Sequence, residues 1–228
     1  MVILAALGTW QVNRLIWKEQ LISRVESRLE SKSIELSELI DSGFDKTLHE
    51  YQPVRAVGSF DHSKEVYFFA TGKQGSSGWN VHTPLTMANG KTLIVNRGFV
   101  PFEIKDPVLR TRGQIGGNQI VTGLLRFPLF EKPFGSIEND LDKREFFWRN
   151  VAEMSNAMQV DRANVLPVIL DADDTPVPGG LPIGDTTIIA FPNNHLQYAI
   201  TWYGLMLTLI GVGGYFIWSR RKTNEEVQ

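Results

Sequence analysis

The sequence predicts an α+β membrane protein in which two transmembrane helices, the first truncated, flank one extracytoplasmic, mostly antiparallel β domain with short helices. Three observations predict it. Leu196–Trp218 holds no charged residue, and at about 1.5 Å per residue it gives roughly 34 Å of helix, enough for a ~30 Å hydrocarbon core. Arg220-Arg221-Lys222 follows closely, a basic cluster that stays on the cytoplasmic or matrix side and so puts the preceding chain on the opposite side. From Pro53 onward, short runs rich in β-branched and aromatic residues alternate with Gly- and Asn-containing turns, the pattern of closely spaced strands in an antiparallel sheet or partial barrel.

The elements follow in order. Met1–Trp10, MVILAALGTW, is apolar but gives only about 15 Å of helix, half a bilayer. It lacks the basic n-region and small-residue cleavage site of a secretory signal. Trp10, Arg14, Trp17 and Lys18 have the composition of an interfacial belt at the outer end of a span. Residues 1–17 are therefore expected to be a first transmembrane helix whose upstream part is missing, with a short membrane-touching helix as the alternative. Leu15, Leu21, Ile22, Val25 and Leu29 recur near helical spacing with charges between them, which continues the helix as an amphipathic one. Ile34–Ser42 is a shorter helical segment, capped by Ser33 and stopped by Gly43.

Strands are expected at Val54–Phe60, Glu65–Thr71, Trp79–Leu85, Thr92–Val100, Gln119–Phe127 and Glu145–Arg149. Ala88-Asn89-Gly90-Lys91 is a hairpin signal between the third and fourth. Val151–Val160 is expected to be helical and Pro167–Leu170 extended. Asp171–Gly184 is a Pro/Gly/Asp loop, and Thr186–Ala190 a last strand leading to the membrane. The extracytoplasmic domain then covers residues 18–194, the second span 195–218 and a cytoplasmic tail 219–228.

Composition excludes several classes of function. The 228 residues carry a net charge of −2, which implies neither a nucleic-acid partner nor a strongly acidic ligand. There is no cysteine, which removes disulfides, thiolate metal sites, cysteine nucleophiles and c-type haem attachment. Gly75-Ser76-Ser77-Gly78 is not a nucleophile elbow. Gly113-Gln114-Ile115-Gly116-Gly117 lacks the Lys-Ser/Thr of a phosphate loop. Asp171-Ala172-Asp173-Asp174 starts like a calcium loop but meets Pro176 and Pro182 where the turn Gly and bidentate Glu belong. All three are expected to be turns, and no enzymatic constellation survives.

Four histidines remain, none paired at metal-site spacing. His49 and His62 lie in polar, loop-like contexts and are expected to be solvated; His82 alternates within a strand and is expected to be half-buried. His195 opens the apolar helix. An imidazole there either reaches a lipophilic ligand in the outer leaflet or serves as a polar anchor beside the helix cap. On a wheel of about 100° per residue, Gln197, Thr201, Gly204, Thr208 and Gly211 form one stripe. Small and hydrogen-bonding side chains suit close helix packing in lipid, so this stripe is expected to meet the first helix. His195, Ala199, Trp202, Met206 and Gly213 are then left open on the other side.

Four blocks occur in a familiar order. Leu7-Gly8-Thr9-Trp10-Gln11-Val12-Asn13-Arg14-Leu15-Ile16-Trp17-Lys18 matches the pattern LG-x-WQ-x-x-R-x-x-W-K. Gly78-Trp79-Asn80-Val81-His82-Thr83-Pro84-Leu85, Val95-Asn96-Arg97-Gly98-Phe99-Val100-Pro101 and Asn194-His195-Leu196-Gln197-Tyr198-Ala199-Ile200-Thr201-Trp202-Tyr203 follow it. From Leu7 to about Trp218 the chain resembles the Surfeit-locus-one family of cytochrome c oxidase assembly factors. The resemblance implies two spans around a periplasmic or intermembrane-space domain, and a role in placing haem a in oxidase subunit I.

It further implies haem a as a transiently bound cofactor with His195 as the iron ligand, Trp202 on the same helix face, and haem a synthase as a further partner. A carrier of this kind holds the iron at the interface, the apolar tail in lipid and the propionates near cations, for which Arg14 and Lys18 are the candidates; interface anchoring is their alternative role. The absence of a transit peptide favours a bacterial inner membrane over the mitochondrial one. The rival reading is a scaffold that stabilises subunit I without touching haem.

Overall fold

The computed structural model describes residues 1–72, 75–129, 131–187 and 191–225. It divides into two compact units, Met1–Ser27 with Ile189–Gln228, and Arg28–Ile188.

The larger unit is built on one eight-stranded sheet. Its strands are β1 (Ile34–Glu35), β2 (Pro53–Phe60), β3 (Val66–Thr71), β4 (Ser77–Thr86), β5 (Thr92–Pro101), β6 (Asn118–Arg126), β7 (Glu145–Phe146) and β8 (Val165–Ala172). They lie in the order β1-β2-β6-β8-β5-β4-β3-β7, and β2 pairs again with β4 through Ser59–Thr86 and Phe60–Leu85. That extra pairing closes β2, β6, β8, β5 and β4 into a small barrel, with β1 and with β3 and β7 attached outside the ring. Five of the eight pairings are antiparallel; β1–β2, β3–β7 and β5–β8 run parallel.

Side-chain alternation assigns the two faces. Leu93 and Val95 of β5, with Val168 and Leu170 of β8, point into a core shared with Val54, Leu85 and Leu125 and closed by Leu36 and Leu39 of α2 (Leu36–Ser42). Ile94 and Ile169, one residue out of phase, pack with Val66, Phe146, Met154 and Met158 around α4 (Val151–Ala157). The hairpin at Asn89-Gly90 forms as expected: Gly90 has φ +76°, and the Lys91 N–H donates to Asn89 Oδ1.

Several elements differ from the sequence reading. Ile34-Glu35 is not helical but pairs in parallel with Val54-Arg55, so the helix starts at Leu36 behind Glu35 rather than behind Ser33; a β-ladder at the edge of the barrel outcompetes helix propensity there. Gly43 does end that helix, at φ +91°. A further short helix, α3 (Lys46–His49), is capped by the Asp45 carboxylate. The sixth strand stops at Phe146 instead of Arg149, and α4 ends at Ala157 instead of Val160. β8 is longer than expected at both ends, so Asp171 belongs to a strand and not to a loop. Thr186 and Thr187 have no regular structure, and the rest of the expected last strand, 188–190, lies outside the described residues.

The smaller unit holds α1 (Val2–Leu29, of which the last two residues belong to the larger unit) and α5 (His195–Glu225). The apolar start and the amphipathic continuation are thus one unbroken helix. Among the described residues one helix is long and apolar enough to cross a membrane, His195–Arg220, with a mean hydropathy of 1.5. Leu205, Leu207, Leu209, Val212, Phe216 and Ile217 on it are exposed. An apolar helix with most of its surface uncovered is suited to lipid.

The pairing of α1 and α5 reverses the expected faces. Ala199 is buried and His195, Trp202, Tyr203, Met206 and Gly213 are partly covered, whereas Gln197, Thr201, Gly204, Thr208 and Gly211 are all exposed. The small residue that permits close approach is on α1: a Cβ at Gly8 would stand 2.8 Å from the Tyr203 ring. Tyr203 fills that notch, and its hydroxyl lies 3.0 Å from Thr9 Oγ1. Thr201 and Thr208 spend their hydroxyls on their own helix, donating to the carbonyls of Gln197 and Gly204.

Candidate functional site

Three polar constellations stand out, two in the barrel unit and one in the helix pair. In the first, Glu65 is 1% exposed and is gripped by Arg110 (2.5 Å) and Arg97 (3.3 Å). His62 joins it, with Nδ1 3.1 Å from the Arg97 guanidinium and Nε2 3.0 Å from the Ile115 carbonyl oxygen. Burial pushes the Glu65 carboxyl up, but hydrogen bonds from His62 and Arg110 and the two guanidinium charges hold it below its ordinary value. His62 is therefore part of a buried network and not solvated. His49 is closer to expectation: it sits part-covered at the end of α3, its Nδ1 accepting from the Asp45 N–H.

In the second, Asp171 is 2% exposed and accepts from Asn96, Arg126, Arg149 and Thr187 at 2.6–3.2 Å. Burial raises the Asp171 carboxyl, and Arg149, Arg126 and the Thr187 and Asn96 bonds outweigh it, bringing the pKa down to about 2. Nearby, His82 is wholly buried, not half-buried. Its Nδ1 donates to the Asn80 carbonyl at 3.2 Å, while Nε2 has no partner. Burial, aided by the Arg149 charge, lowers its pKa to about 3, so it is neutral at any physiological pH. Each constellation sets one buried carboxylate against two guanidinium groups, and in the first Arg110 Nε is left without a partner.

The third is at the start of α5. His195 Nδ1 lies 2.7 Å from Gln11 Oε1, and Gln11 is itself 8% exposed. An amide oxygen only accepts, so Nδ1 carries the proton. His195 Nε2 has no partner among the described residues. Lys18, two turns beyond Gln11 and about 10.5 Å along the same face, holds its ammonium 5.4 Å from the Phe191 ring. Arg14 is exposed and stacks on Trp17 at 4.4 Å. Trp202 lies two turns along α5 from His195 on the partly covered face. Asn193 Oδ1 is buried without a partner. The structure thus joins His195 to Gln11, a residue not singled out from sequence, and leaves Arg14 turned to solvent on its own tryptophan.

The set fits an iron porphyrin. A histidine with one nitrogen held and the other free is the usual state of a metal-bound imidazole, and a cation and aromatic rings stand on the same two helices. The barrel offers less. One cleft of about 440 Å³ is lined by Thr71, Gly72, Ser76, Phe99, Pro101 and residues 183–187, with no histidine, cysteine, methionine or tyrosine among them to serve as a haem ligand.

The missed residues had a faint signal. Asn96-Arg97 interrupts an otherwise apolar, fully buried strand, and a charge at such a place requires a partner. Gln11 had its place as the Q of the LG-x-WQ block, with nothing there to pair it with His195.

The chain joins a barrel domain to a pair of helices, one of them long and apolar enough to cross a membrane and opened by a histidine with a partner on one ring nitrogen. The chain belongs to the SURF1 family, whose model matches residues 1–207. It is similar to Surfeit locus protein 1 of Gallus gallus, at 38% identity over 94% of this chain and 70% of that one. The Homo sapiens protein of the same name is 37% identical over 87% and 69%. A SURF1-like protein of Monosiga brevicollis is 32% identical over 97% and 85%.

Proposed function

We propose that this protein is an assembly factor for cytochrome c oxidase that holds haem a on His195 and aids its insertion into subunit I, with no turnover of its own. Family membership supports the assembly role. The observation that carries the haem reading is the half-satisfied imidazole, Nδ1 fixed by Gln11 and Nε2 open, at the head of an apolar helix. Bound haem supplies an iron with an axial position to fill, an apolar tail and two propionates. His195 fills the first, the exposed apolar surface of α5 suits the second, and Lys18, on the same face of α1 as Gln11, and Arg14 are the candidate cations for the third. Trp202 flanks the same face. The domain between the helices faces the periplasm or intermembrane space of an inner membrane, with subunit I, and haem a synthase as donor, on that membrane.

The test is the haem-to-protein ratio and visible spectrum of the full chain purified in detergent from cells that make haem a. His195→Ala is expected to lose most of the haem at unchanged yield, while His49→Ala keeps it. Unchanged haem in His195→Ala removes the ligand assignment; a colourless wild-type protein favours the haem-independent scaffold.

A further inference from the structure

Gln11 is one of the few polar side chains buried in the helix pair, and it belongs to the helix that does not carry the histidine. Burying an amide costs free energy unless it is hydrogen-bonded, and the bond it makes is to His195 Nδ1 at 2.7 Å. A free imidazole ordinarily prefers its proton on Nε2. An acceptor fixed at Nδ1 reverses that preference, moving the proton to Nδ1 and leaving the Nε2 lone pair outward. The acceptor is held in register by a contact one turn away, where Tyr203 seats in the notch at Gly8 and its hydroxyl meets Thr9.

We propose that Gln11 is the positioning residue of the His195 site: it selects the Nδ1–H tautomer and fixes the ring plane, so that Nε2 is the metal-binding atom. The competent ligand is then made by two helices, and α1 has to be seated on α5 before His195 can bind. This rests on the haem reading above for what Nε2 binds, but the tautomer itself does not depend on it.

The experiment uses the full chain, ¹⁵N-labelled at histidine, in detergent, purified from cells that make no haem a. The His195 nitrogen shifts identify the protonated atom, and His195→Ala assigns them. In the wild type Nδ1 is expected to carry the proton. Gln11→Leu, isosteric enough to leave helix content unchanged by circular dichroism, moves it to Nε2. Gln11→Glu, which still offers an oxygen to Nδ1, keeps the wild-type pattern. In cells that make haem a, Gln11→Leu retains haem roughly 10–100-fold less tightly, the usual cost of losing an outer hydrogen bond to a metal-bound histidine. Gln11→Glu retains it, at a lower reduction potential because the ligand is more basic. Identical His195 shifts in wild type and Gln11→Leu overturn the proposal. A Gln11-dependent tautomer in a protein that never takes up haem leaves the positioning role standing and overturns the function instead.

Discussion

The barrel and the helix pair treat buried polar groups in opposite ways. In the barrel, Asp171 has four donors and Glu65 has two guanidinium partners, and the side-chain atoms left without a partner, Asn80 Oδ1, His82 Nε2, Arg110 Nε and Trp148 Nε1, are sealed from solvent. In the helix pair, His195 has one bond, one free nitrogen and partial exposure. Saturated polar groups specify a fold. A half-saturated one at an accessible place is a binding site, because its remaining valence has been kept and not spent. His82 and Asp171, which burial and neighbouring charges move well away from their ordinary values, are therefore structural, and the histidine with an open nitrogen is the functional candidate.

The sharpest break of this contrast comes from Asp171. Replacing it with Ala strands Arg149 and leaves Arg126 on Glu50 alone, and removing one partner of a buried ion pair costs about 3–5 kcal/mol. Asp171→Ala is expected to lower the unfolding free energy of the barrel by that amount, read as a fall in the denaturant midpoint, while protein that remains folded keeps its haem. Selective haem loss at full stability would place Asp171 in the binding site and erase the distinction.

The second break is by pH. His82 has its folded pKa at about 3 against an ordinary value of 6.5, so the unfolded chain takes up a proton first as pH falls. Stability attributable to His82 is complete above about 6.5 and is lost progressively down to about 3, with a slope approaching 1.4 kcal/mol per pH unit. Between pH 6 and 5 the depressed carboxylates Glu65 and Asp171 do not yet contribute. Urea unfolding across that interval should show the slope in the wild type and lose it in His82→Gln. A wild-type slope that persists in His82→Gln would mean the ring is not held neutral by burial.

Much of the barrel was legible because its information is local. β2, β3, β4, β5 and β6 alternate apolar residues or run continuously apolar between Gly and Asn turns, and their observed ends fall within two residues of the expected ones. Asp171 was not legible. Asp-Ala-Asp-Asp has turn composition, and the groups that neutralise it come from Asn96, Arg126 and Arg149, as far as 75 residues away. A carboxylate belongs in a strand only once those partners have been folded onto it. β1 failed for the same reason, since a two-residue ladder is specified by the neighbour Val54-Arg55 and not by itself. At the site, His195 was visible through its place at the head of the apolar run. Its partner Gln11 was hidden, because a sequence shows which residues share a helix face but not which face another helix will take.

That last point carries the smallest expected effect. The stripe Gln197, Thr201, Gly204, Thr208 and Gly211 has the composition of a helix-packing face, yet the contact forms on the side of Ala199 and Tyr203 because α1 offers its notch, Gly8, to an aromatic ring. Nothing in the helix pair covers Thr208, and its hydroxyl already donates to Gly204. Thr208→Leu should therefore leave the His195 nitrogen shifts where they are in the wild type, a null result. Gly8→Leu places a side chain where the Tyr203 ring lies, so α1 has to withdraw and the Gln11 bond to His195 breaks. A displaced His195 signal in Thr208→Leu, with Gly8→Leu silent, would restore the stripe as the contact face and remove Gln11 from the histidine.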